Sequence, residues 1–105
     1  MIVIRKIRGE FLDQFFEAIL SLETVDECYE FFEDVATVTE VKALAQRFHV
    51  AKMLKEGYTY QDIEDKTGAS TATISRVKRF LHYGAGGYDI VLKRIGKQET
   101  EDNDN

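Results

Sequence analysis

The sequence predicts an all-α fold of about six helices carrying a helix-turn-helix in its C-terminal half. Three observations predict it. Apolar residues recur at three- and four-residue spacing along most of the chain, the period of one helical face. The 105 residues contain no proline, so the commonest helix breaker is missing. No stretch shows the sustained apolar–polar alternation of a half-buried strand. A chain of this length makes one domain and buries only about two-thirds of its unfolded surface, so it gains from a partner.

Taken in order, Phe11, Leu12, Phe15, Phe16, Ile19 and Leu22 form the stripe of a first helix. Thr24 followed by Glu27 is a capping-box pattern that opens a second, with Val25, Cys28, Tyr29, Phe32, Val35 and Ala36 on its inner face. Both helices also carry apolar residues off these stripes, among them Phe31, which suits either a wide core stripe or a face shared between two chains. Thr37 followed by Glu40 repeats the capping signal. It starts a third helix along Val41, Leu44, Ala45, Phe48, Ala51 and Leu54, closed by Gly57. A last helix is expected over Tyr88–Ile95 after the glycines at 84, 86 and 87.

The segment Thr59–Tyr83 carries the function. Thr59 caps a helix of about two turns, Tyr60–Thr67, and Gly68 supplies the left-handed residue that a tight helix–helix turn needs. Ser70 caps the next helix, expected over Ser70–Phe80, whose Ile74, Val77 and Leu81 face inward with Ile63 and Ala69 opposite them. Glu64 departs from the general motif, which prefers a small residue there. The outer face of the second helix is short and polar at its start and basic behind, with no acid between Ser70 and Tyr83. Short side chains allow close approach to a major groove, and arginine can fork onto guanine.

Charge distribution agrees with this reading although the net charge is −5. Nine acids and no lysine or arginine lie between Glu10 and Asp34, whereas Arg76, Lys78, Arg79 and His82 cluster in the recognition helix. A chain so polarised can meet a polyanion with one face. Further basic groups are Arg5, Lys6 and Arg8, and Lys93, Arg94 and Lys97. Residues 1–8 are expected as an N-terminal arm, 9–96 as the helical domain with its helix-turn-helix over 59–81, and 97–105 as an acidic disordered tail.

From about Thr37 to Phe80 the chain resembles the Trp repressor superfamily, most of all its YerC/YecD-type Trp repressor-like branch. The resembling stretches are AQRFHVAKMLKEG (Ala45–Gly57) and TGASTATISR (Thr67–Arg76), with FFEDVATVTEV (Phe31–Val41) typical of that branch. The resemblance extends over roughly Ile7–Ile95. It implies an intertwined all-helical homodimer with interlocked N-terminal helices, and it admits a long polar residue at Glu64. It also implies a possible ligand pocket at Thr37, Arg47 and Arg76, where the family's best-known member holds tryptophan between two arginines. Val77 and Phe80 stand where that member has glycine and serine, and side chains there leave no room for an indole. Tryptophan is therefore not expected, and whether another small corepressor binds stays open.

Other classes fit poorly. His49 and His82 have no nucleophile or acid that spacing would bring to them, the glycines lack a phosphate-loop register, and the single cysteine reads as a small core residue. The expectation is no enzyme, no metal, no cofactor and no membrane partner. The partners are double-stranded DNA and a second copy of the chain, in the bacterial cytoplasm and on the nucleoid when bound. DNA contacts are expected from Ser70, Thr71, Ala72, Thr73, Ser75, Arg76, Lys78 and Arg79. Thr71, Ala72 and Ser75 are placed at bases, directly or through water, Lys78, Arg79 and the hydroxyl of Thr73 or Ser70 at phosphates, and Arg76 is divided between DNA and the corepressor position of the family. The rival readings are an interaction or dimerisation module with a vestigial helix-turn-helix, and a repressor controlled by a small ligand other than tryptophan.

Overall fold

The computed structural model describes residues 8–103; the expected N-terminal arm, with Arg5 and Lys6, lies outside the described residues except for the exposed Arg8. The described residues form six helices and no strand: α1 (Glu10–Leu20), α2 (Val25–Val35), α3 (Val38–Lys55), α4 (Tyr60–Thr67), α5 (Thr71–Tyr83) and α6 (Gly87–Asn103). The chain divides into two compact units, Met1–Lys42 and Ala43–Asn105.

In the first unit the helix starts follow the capping chemistry. The Thr24 hydroxyl accepts from the Glu27 N–H at 3.0 Å, while the Glu27 carboxylate accepts from the Glu23 N–H at 2.8 Å, one residue further back than a standard capping box. Thr37 and Glu40 make the reciprocal pair. The Glu40 carboxylate takes the Thr37 N–H at 2.9 Å, and the Thr37 hydroxyl takes the Glu40 N–H at 3.1 Å. That backbone N–H, with a smaller contribution from the Thr37 hydroxyl, holds the Glu40 carboxyl below its usual value.

An aromatic cluster joins α1 to α2. Phe15 lies 5.9 Å from Phe31 and 6.5 Å from Phe32 between ring centroids, and Phe31 meets Phe32 edge-on at 5.5 Å. Neither helix contains a buried residue. Here the expected inner faces are corrected. Phe11 is 89% exposed, Phe16 50%, and Val25 and Tyr29 72% each, and Leu20, outside the expected stripe, is 82% exposed. Cys28 is exposed and is not a core residue, because the part of the stripe around it, Val25 and Tyr29, is uncovered, while Phe32 and Ala36 are half-buried.

The second unit has a closed core of Val50, Ala51 and Met53 from α3, Ile63 from α4, Ala69 from the turn, and Ile74 and Val77 from α5. Leu54, Tyr60, Leu81 and Tyr88 pack against it. The stripe expected on α3 is corrected in part. Ala51 is buried and Phe48 and Leu54 partly so, but Leu44 is 54% exposed and Ala45 is exposed. Val50 and Met53, outside that stripe, are buried instead, since the end of α3 is enclosed by α4, the turn and α5. The helix ends as expected at Gly57, with Gly57 N–H on the Leu54 carbonyl and Tyr58 N–H on the Met53 carbonyl, both 3.1 Å.

The last helix is longer than expected. It begins at Gly87 and runs to Asn103, so the stretch expected as a disordered tail is helical as far as Asn103. Beyond Gly96 the sequence KQETEDN contains no glycine or proline to stop it, and lysine, glutamine and glutamate are good helix formers.

Candidate nucleic-acid interface

The helix-turn-helix lies wholly within the second unit, and its local geometry follows from a few side chains. Thr59 caps α4, its hydroxyl accepting from the Asp62 N–H at 3.1 Å. Gly68 ends α4 with φ +74, a conformation that costs an L-residue about 1–2 kcal/mol and glycine nothing. The polar groups around the turn are paired. The Thr67 hydroxyl donates to the Ile63 carbonyl at 2.7 Å and accepts from the Ala69 N–H at 3.1 Å. The Gln46 amide on α3 donates to the Thr67 carbonyl at 3.1 Å. Ser70 then caps α5 by accepting the Thr73 N–H at 3.1 Å. Ile63 and Ile74 are fully buried and Val77 nearly so, which fixes α5 against α4 through the residues that the sequence placed inward.

Burial of Ile74 and Val77 turns the opposite side of α5 to solvent. Thr71, Ala72, Ser75, Arg76, Lys78 and Arg79 are all exposed, as is Ser70, while Thr73 is half-buried. Ser70 Oγ also donates to Thr73 Oγ1 at 3.1 Å, so the two hydroxyls serve the helix start. Thr71 donates its hydroxyl hydrogen to Glu64 Oε1 of α4. The Lys78 ammonium lies 5.8 Å from the Tyr60 ring centroid, and the Arg79 guanidinium 5.9 Å from that of Phe80. α5 contains no acid. Its outer surface is therefore a run of small polar residues followed by three cations, each within reach of a polyanion.

The residues of the expected ligand pocket stand as follows. Thr37 is the cap of α3, engaged with Glu40. Arg47 is exposed on α3, its Nε 3.4 Å from the Ala43 carbonyl, and Arg76 is exposed on α5. Val77 is 2% exposed within the core. Phe80 is 53% exposed and lines an open cleft of about 440 Å³ with Phe48, Tyr88 and Val91. At the other edge of α5, Lys55 holds Asp89 at 2.9 Å. That hydrogen bond first, then the charges of Lys55, Lys93 and His82, hold the Asp89 carboxyl below its usual value against the opposing effect of desolvation. Among the described residues no three histidine, cysteine, aspartate or glutamate side chains gather as a metal site would need.

Sequence reasoning did not foresee two of these contacts. Gln46 was unremarked on the third helix, yet it secures the carbonyl before the turn; its four-residue offset from Val50 was the available signal. Glu64 stands out in the sequence as a departure from the general motif that the family resemblance admits, and its partner, Thr71 seven residues on, is seen only in the fold.

A helix, a left-handed glycine turn and a second helix with a basic, acid-free outer face define a helix-turn-helix protein. Residues 10–96 match the family described as Trp repressor protein, and the chain belongs to that family. It is a family of regulatory proteins, not of enzymes. The chain is 57% identical over 98 residues to the uncharacterised protein YerC of Bacillus subtilis (strain 168), covering 93% of this chain and 94% of that one. Among solved structures it is similar to a candidate Trp repressor from Staphylococcus aureus, with a TM-score of 0.85 and 56% identity over 89% of this chain and 93% of the other. It is equally similar to a TrpR-like protein from Eubacterium eligens ATCC 27750, with a TM-score of 0.85 and 59% identity over 88% and 95% of the two chains.

Proposed function

We propose that this chain is a sequence-specific transcriptional regulator, acting as a repressor, that binds double-stranded DNA as a homodimer through α4 and α5. The observation that carries the reading is the outer face of α5, where Arg76, Lys78 and Arg79 follow Thr71, Ala72 and Ser75 with no acid among them. In this reading Thr71, Ala72 and Ser75 meet base edges, Lys78 and Arg79 hold phosphates, and Arg76 serves either. The hydroxyl of Ser70 or Thr73, each of which also serves the start of α5, is a further phosphate contact in this reading. The uncovered apolar faces of α1 and α2 support pairing of two chains. No helix among the described residues is long and apolar enough to cross a membrane, which accords with work on the bacterial nucleoid.

The same reading makes tryptophan an unsuitable corepressor, because Val77 is an integral part of the core beside Arg76. The test is duplex binding over a range of salt, with and without tryptophan. Affinity falls steeply as salt rises, because phosphate contacts release counterions. Lys78→Ala weakens binding to all sequences alike and lowers the magnitude of the log–log slope by about one. Tryptophan changes neither affinity nor melting temperature. Affinity that is flat with salt refutes the assignment of α5 to the groove, and supports an interaction module in its place.

A further inference from the structure

Glu64 puts a carboxylate at the leading end of the helix that would read DNA. It is half-buried on α4, and Thr71, the first residue of α5, donates its hydroxyl hydrogen to Glu64 Oε1. A threonine hydroxyl has one hydrogen and two lone pairs, and a carboxylate only accepts. Once that hydrogen is engaged, Thr71 Oγ1 can only accept from a third group. The hydrogen bond therefore turns a versatile hydroxyl into part of an acceptor-only edge. Nothing else on α5 competes for this character, since α5 contains no acid and its charged groups, Arg76, Lys78 and Arg79, are donors set a turn or more behind.

We propose that Glu64 is a specificity-determining residue that, together with Thr71, selects a cytosine in the major groove. This rests on the DNA-binding reading above. Cytosine presents its N4 amino donor to the major groove with no acceptor beside it, so it matches an acceptor-only edge. Adenine offers a donor but sets the N7 acceptor next to it. Guanine presents N7 and O6 and thymine presents O4, acceptors that oppose a carboxylate and a hydroxyl lone pair. The same charge opposes a phosphate brought to Thr71, so contact by that side chain favours a base edge over the backbone. Glu64 thus acts directly on the base amino group or by orienting Thr71, and both routes give the same preference.

The experiment selects bound duplexes from a random pool with the full-length chain and three variants, Glu64→Gln, Glu64→Ala and Thr71→Val, each checked for folding by thermal melting. The wild type enriches sites with cytosine at one position of the half-site, discriminated about tenfold over other bases, the usual scale for a mismatched pair. Both Glu64 variants lose that preference and keep the rest of the selected sequence. Thr71→Val reduces it. Affinity for the unselected pool at low salt rises in Glu64→Ala, as a repulsive charge is gone. If the Glu64 variants do not fold, Thr71→Val decides alone: a reduced preference supports the proposal and an unchanged one overturns it. Wild-type enrichment with the same base preferences in every folded variant overturns the role of Glu64 and leaves the DNA-binding reading intact. Failure of the wild type to enrich any duplex at low salt overturns that reading, and this inference with it.

Discussion

The two units of the chain contain similar apolar residues and treat them differently. Val50, Ile63 and Ile74 in the second unit are sealed from solvent, whereas Phe11 and Leu20 in the first are almost fully exposed. Composition does not explain this, because α1 and α2 hold five phenylalanines and a tyrosine besides Leu20. What differs is enclosure. The second unit surrounds its core with the end of α3, α4, the turn and α5, while the first joins two helices by one aromatic cluster and leaves their other faces open. Covering a large apolar side chain is worth roughly 1.5–3 kcal/mol, so the first unit leaves substantial stabilisation to be gained by covering those faces. A helix-turn-helix must present a fixed face, which a closed core supplies; an open face suits association.

The largest effect comes from breaking the closed side. Ile63→Ala or Ile74→Ala should lower unfolding free energy by about 2–5 kcal/mol in urea melts at any protein concentration, through lost transfer and a cavity. Phe11→Ala in dilute, monomeric chain should cost no more than about 0.5 kcal/mol, the scale of a surface change. Equal losses at both places would erase the distinction between the units.

The open side is tested by concentration. If α1 and α2 pair two chains, the melting temperature rises with protein concentration, and sedimentation shows a dimer. Phe11→Asp combined with Leu20→Asp leaves a monomer whose melting no longer depends on concentration. A wild-type monomer at high concentration would leave those faces without a second copy to cover them.

A smaller effect than opening the core belongs to the cap of α3 in the first unit. Thr37→Ala should cost about 1 kcal/mol. Followed by NMR, Glu40 titrates below a free glutamate and moves only part of the way back in Thr37→Ala, because the backbone N–H still donates to it. With its folded-state pKa depressed, Glu40 contributes stability that is present above the unfolded carboxyl value and lost as pH falls through the folded one.

The local chemistry of the fold was legible because it depends on short-range patterns. Thr24, Thr37, Thr59 and Ser70 cap the helices that their spacing to the following residues announced, and α4 coincides with the expected Tyr60–Thr67. Ile63, Ala69, Ile74 and Val77 were legible as core because a helix-turn-helix fixes their mutual positions. Cys28 and Leu44 were misjudged since periodicity identifies an apolar face without saying what covers it. The end of α6 was misjudged because acidity was taken for disorder, although the residues concerned favour helix. Of the candidate interface, the types of residue on α5 were legible and the Glu64–Thr71 bond was not, because it joins two helices across the turn.

Among the described residues every buried core residue lies between Val50 and Val77, and this has a kinetic consequence. Contacts so near in sequence require little loop closure, and helical units of this kind fold on the order of microseconds to milliseconds. Pairing of two chains through α1 and α2 would instead be bimolecular and would slow as the protein is diluted. The helix-turn-helix therefore forms first, as a first-order event in each newly made chain, and any assembly through the aromatic helices follows at a rate set by how many chains are present.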